Sequence, residues 1–119
     1  MGRALVVDDE IDICILLSGQ LKKLGFETSY CLTIREANRK LSTAFFDLIF
    51  VDLNLTDGSG YDLIDSVRAI NKITKIIVIS AYGGERQKIM EVGASHYIPK
   101  PFTKKSIHEA LRKLNFLDN

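Results

Sequence analysis

The chain has 119 residues, a length that fits one domain and buries enough surface for a core without staples. Apolar residues make up 46% and charged residues 26%, an ordinary globular composition. The net charge of +1 gives no reason to expect a nucleic-acid or membrane surface from bulk charge, so any functional charge must be local.

In chain order, the first element is the apolar run "ALVV" at 4–7, which ends in Asp8, Asp9 and Glu10. Three adjacent acids after a buried run repel one another unless something positive sits against them. A helical stripe follows, Ile13, Leu17, Leu21 and Leu24, stopped by Gly25 as C-cap. The second apolar run is "FETSY" at 26–30. Thr33 to Glu36 has the form of a capping box opening a second helix. The third run, "DLIFV" at 47–51, ends in Asp52, and a third helix follows Gly60. The fourth run, "KIIVI" at 75–79, ends in Ser80. A fourth helix spans about 85–92, with Gly93 stopping it. The fifth run, "SHYI" at 95–98, leads to Lys100. The fifth helix starts after Pro101 with Thr103 as N-cap, and Ile107, Ala110, Leu111 and Leu114 form its buried face.

The first, third and fourth runs are continuous rather than alternating, as in strands buried on both faces of a parallel sheet. Strict alternation of strand and helix predicts right-handed crossovers and one doubly wound α/β domain over 1–119, with no output domain in this chain. Cys14 and Cys31 lack metal-ligand spacing and read as reduced, buried thiols. No run approaches the ~20 apolar residues of a membrane span. The expected location is the cytoplasm, with no membrane contact and no direct nucleic-acid binding.

Ligands of such sheets bind beyond the carboxyl ends of the strands. Asp8, Asp9, Asp52, Ser80 and Lys100 all fall there, although 92 positions separate the first from the last. Each alone has an ordinary reading as a cap, a loop acid or a surface lysine. Together they suit phosphoryl transfer: a carboxylate can be a nucleophile toward phosphorus, and cations must meet the equatorial oxygens. Mg²⁺ is the natural partner of such acids, because it takes a few oxygens and keeps waters.

The pieces "VVDDE", "DLIFVDLNLTDGSGYDLI", "IIVISA" and "GASHYIPKPF" occur in this order. With them the chain resembles a two-component response-regulator receiver domain of the chemotaxis type over nearly its whole length. That resemblance implies a flavodoxin-like fold with strand order 2-1-3-4-5. It implies that Asp52 accepts a phosphoryl group from a histidine kinase or histidine phosphotransfer protein. Asp9, Asp52 and the backbone carbonyl of Asn54 would bind Mg²⁺ (with Mn²⁺ as an alternative), and Asp8 would act directly or through water. Ser80 and Lys100 would each meet a phosphoryl oxygen, and the bond from Lys100 to Pro101 would be cis. Tyr97 stands where the family carries its switch aromatic, and Tyr82 and Asn54 border the pocket. Helix four, strand five and helix five would form the output face, selecting a partner or a second copy of the chain in a phosphorylation-dependent homodimer. Thr56 replaces a proline common in the family, so the acceptor loop lacks one φ restraint.

Three other readings compete. An aspartate-nucleophile phosphatase of the haloacid-dehalogenase type would want an acid where Asn54 stands. A flavin- or nucleotide-binding module would want an anion-binding loop after the first strand, where "DDEID" repels phosphate. A phosphorylation-independent receiver-like module would show loss of an acid or the lysine, and none is lost. The expectation is a signalling domain rather than an enzyme.

Overall fold

Five strands in this computed structural model form one parallel sheet, and residues 2–81 and 85–118 are described. The strands are β1 (Arg3–Val7), β2 (Glu27–Cys31), β3 (Leu48–Asp52), β4 (Lys75–Ser80) and β5 (His96–Pro99). Their spatial order is 2-1-3-4-5, with every neighbouring pair parallel. Between and after them run α1 (Ile11–Lys23), α2 (Ile34–Thr43), α3 (Gly60–Ile70), α4 (Arg86–Glu91) and α5 (Lys104–Lys113).

The continuous apolar runs explain the layers. Successive strand residues point to opposite faces, so a strand buried on both sides must be apolar at every position. Leu5, Val7, Ile49, Val51, Ile76 and Val78 face one way and pack with Ala37, Leu63, Ile64, Val67 and Ile89 of α2, α3 and α4. Ala4, Val6, Leu48, Phe50, Ile77 and Ile79 face the other way and pack with α1 and α5. The edge strand β2 is more exposed, which is why its sequence is the most polar of the five.

The helix ends follow their sequence signals. At the end of α1 the Phe26 N–H donates to the Leu21 carbonyl and the Gly25 N–H to the Lys22 carbonyl, with Gly25 at φ 104°. This is the Schellman pattern, and the left-handed conformation it needs suits glycine. The same pair of bonds closes α4 at Gly93 and α5 at Asn115. Thr103 and Ser106 form a reciprocal capping box at α5. At α2, Thr33 Oγ1 accepts the Glu36 N–H at 3.1 Å, while the Glu36 carboxylate meets the Thr33 hydroxyl.

One expectation shifts by a residue. The buried stripe of α1 is Cys14, Leu17 and Leu21, with Ile13 only half-buried. Cys14 shares the inner face with Leu17 and Leu21, and its thiol donates to the Asp8 carbonyl at 3.3 Å. Both cysteines are free and buried, as expected. Among the described residues, no helix is long and apolar enough to cross a membrane.

Candidate functional site

The parallel register brings the strand ends into line. Val7 of β1 pairs with Val51 of β3, Asp52 with Ile79 of β4, and Ser80 with Pro99 of β5. Asp8, Asp52, Ser80 and Lys100 thus share one rim. The Lys100 N–H donates to the Ser80 carbonyl at 2.8 Å, and the Lys100–Pro101 peptide is cis.

Lys100 joins the acids. Its Nζ lies 3.0 Å from Asp52 Oδ2, 3.1 Å from Asp8 Oδ2 and 3.5 Å from Glu10 Oε1. Asp52 and Asp8 are buried, whereas Glu10 is exposed. The second oxygen of each buried carboxylate has a backbone donor. Asp8 Oδ1 accepts the Glu10 N–H at 2.9 Å, and Asp52 Oδ1 accepts the Asn54 N–H at 3.2 Å.

Burial pushes the Asp8 carboxyl above its ordinary value; the Glu10 N–H and Lys100 oppose the rise, and the charge of Asp52 adds to it. Burial pulls Lys100 down, but its hydrogen bonds to Asp52 and Asp8 outweigh that pull and hold the ammonium above its ordinary value. Among the described residues, the rim thus carries four carboxylates, Asp8, Asp9, Glu10 and Asp52, against one ammonium. Oxygens of Asp8, Asp9 and Glu10 lie within 4.8 Å of one another, a spacing one hard cation can span. The rim therefore fits a divalent ion. Glu10, absent from the ligand set drawn from the family, stands in this group.

The loop after Asp52 is shaped by close approaches. Asn54–Leu55 and Gly58–Ser59 form a short antiparallel ladder. The Gly60 N–H donates to the Leu53 carbonyl at 2.8 Å, and a Cβ at Gly60 would collide with the Asp52 carbonyl oxygen. Ser59 caps α3 by accepting the Tyr61 N–H at 3.1 Å. The loop is thus restrained despite Thr56. Its Asp57 was not singled out by sequence, because the helix it contacts, α2, lies more than twenty residues earlier. The Ile34 and Arg35 N–H groups hold the Asp57 carboxyl below its ordinary value.

Tyr97 is buried, and its hydroxyl reaches the Ser80 carbonyl at 3.5 Å. Tyr82 lies outside the described residues. The Cys14 thiol beside the rim is pushed up to about 11 by burial and by the charge of Asp8, and burial pushes Cys31 up to about 12. Both stay protonated near neutrality and make poor nucleophiles. A cavity of about 390 Å³ lies between the C-terminal ends of α2 and α3, away from the rim. Its Ser42, Thr43, Ser66 and Thr74 hydroxyls are all bonded to backbone carbonyls, so it offers little chemistry.

The fold and rim define a flavodoxin-like α/β domain whose strand ends converge on an acidic pocket closed by one lysine. The family model for the response regulator receiver domain matches residues 4–112. The chain is 33% identical over 116 residues to the chemotaxis protein CheY of Thermotoga maritima, covering 95% of this chain and 97% of that one. It is 36% identical over 101 residues to the response regulator protein PilR of Pseudomonas aeruginosa, covering 83% of this chain. The solved structure of the chemotaxis response regulator CheY4 of Vibrio cholerae is similar with a TM-score of 0.88 and 30% identity, over 96% of this chain and 98% of that one. The chain belongs to the response regulator receiver domain family of two-component signalling. It spans 23% and 46% of the length of two of the curated relatives it matches.

Proposed function

We propose that the protein is a phosphorylation-dependent receiver whose Asp52 takes a phosphoryl group from a histidine kinase or histidine phosphotransfer protein in the cytoplasm. One observation carries the reading: Lys100 Nζ stands 3.0 Å from Asp52 and 3.1 Å from Asp8 at a rim rich in acid. Family membership supports it.

In this reading an Asp52 oxygen attacks phosphorus in line. The P–N bond of the phosphohistidine breaks, and its electron pair stays on the imidazole, which takes a proton from solvent. The Asn54 N–H and Lys100 hold the two Asp52 oxygens, so the carboxylate is oriented before the donor arrives. Lys100 then pairs with one phosphoryl oxygen, and the Ser80 hydroxyl donates to another. Asp9, Asp52 and the Asn54 carbonyl would hold Mg²⁺, with Asp8 direct or through water and Glu10 beside them. When bound, Mg²⁺ supplies two positive charges that offset those of the phosphoryl oxygens.

The signal would leave through α4, β5 and α5. Tyr97 touches the Ser80 backbone, so movement at Ser80 reaches β5. Lys88 of α4 lies 4.6 Å over the ring of Tyr61 in α3, which follows the acceptor loop. Phosphorylation shifts this face only through contacts that differ between the two states.

The test is labelling with acetyl phosphate and Mg²⁺, read by intact mass. One base-labile phosphoryl group should appear in the wild type and none in Asp52→Asn. An equal mass shift in the variant would overturn the assignment.

A further inference from the structure

Asp57 stands outside the ion-pair cluster, yet its carboxylate accepts the Ile34 N–H at 2.9 Å and the Arg35 N–H at 3.0 Å. A helix leaves its first four N–H groups without intrahelical partners. Here the hairpin after Asp52 satisfies two of them, while Thr33 serves the Glu36 N–H from within the helix's own segment. The hairpin tip also packs on α2: a Cβ at Gly58 would stand 2.9 Å from Ile34 Cδ1. α2 is itself fixed to the core by buried Ala37, with Ile34 and Leu41 packed beside it. The other end of the hairpin holds the site, through the Asn54 N–H on Asp52 and the Gly60 N–H on Leu53. Thr56 supplies no ring to restrain the tip.

From this geometry we infer that Asp57 is a positioning residue: by clamping the hairpin tip to the first turn of α2, it sets the pose of Asn54 and Asp52 toward the cation. The inference rests on the reading of Asp52 and Asn54 given above. Asp57 touches neither the cation nor the phosphoryl group; it acts through the backbone between 52 and 60.

Asp57→Ala and Thr33→Ala separate this role from ordinary capping. Both remove a cap from one helical turn, so both should lower the melting temperature comparably. Only Asp57→Ala should quicken amide exchange at Asn54 and Gly60, by about fivefold to tenfold, the factor expected for a lost cap. Only Asp57→Ala should weaken Mg²⁺ binding by calorimetry, by about tenfold, as for groups that orient metal ligands. Asp57→Asn keeps an acceptor oxygen without the charge and should fall between wild type and Asp57→Ala. If Asp57→Ala matches Thr33→Ala in both readouts, Asp57 is a cap and nothing more. A wild type that binds no Mg²⁺ would sink the reading of the rim, and loop exchange alone would then decide the role of Asp57.

Discussion

Asp8 and Lys100 touch, yet they pull stability in opposite directions. Burial raises the Asp8 carboxyl above the ordinary 3.8, so the folded chain holds that proton more tightly than the unfolded chain. The resulting penalty is absent below that pH, grows as pH rises toward the folded value and is complete only above it. Asp8→Asn should therefore stabilise the metal-free protein at pH 7 by about 1 kcal/mol, as substitutions that relieve a functional site often do. The gain should shrink as pH falls toward 3.8. Lys100 is raised above 10.5 by the acids, so its contribution is fully present at neutrality and lost only at higher pH. Lys100→Met should cost about 2 kcal/mol at pH 7, because it leaves two buried carboxylates facing each other. Urea melts without divalent cation decide both, and a destabilised Asp8→Asn would mean that pairing with Lys100 outweighs burial. The strand-end residues were legible in sequence because a parallel sheet sends every strand end to one rim. Contacts made from a loop to an earlier helix, as by Asp57, leave no such trace. Hydrophobicity ranks isoleucine above cysteine, so the sequence pattern favours Ile13 for the inner face of α1, whereas the helix buries Cys14 there.

At the scale of elements, two glycines within helices have opposite needs. Gly60 opens α3 against the Asp52 backbone, and no side chain fits there. Gly19 sits inside α1, exposed, with nothing within 4 Å of where a Cβ would stand. Glycine in a helix interior costs about 1 kcal/mol relative to alanine, because the unfolded chain loses more freedom. Gly19→Ala should therefore stabilise the fold by about that amount and leave acetyl-phosphate labelling unchanged. A loss of stability in a denaturant melt would mean that α1 needs the glycine for a reason its packing does not show. The strands and helices were legible because apolar runs and stop signals coincide with real ends at Gly25, Gly93 and Thr103. The short ladder beside Asp52 was not, since two-residue strands carry no periodic pattern.

For the whole molecule, the proposed function raises the question of where a protein donor would sit to reach Asp52. Ile15 is 56% exposed and Leu16 55%, on the helix that starts beside the rim. Ile13 and Leu16 line a cavity of about 440 Å³ with Glu10, Ala81, Lys100, Pro101 and Phe102. An apolar face this close to an acidic pocket suits a partner that buries helical side chains on α1 while presenting its phosphohistidine to the rim. Ile15 points away from both cores, so Ile15→Glu should leave the fold and acetyl-phosphate labelling intact. Transfer from the cognate phosphohistidine protein should slow by at least about tenfold, the effect of losing a central apolar contact. The small donor needs no surface and the protein donor does, so the two rates separate docking from chemistry. Equal rates from the protein donor for variant and wild type would place docking elsewhere. Loss of both activities, with a lowered melting temperature, would show that Ile15 supports the fold instead.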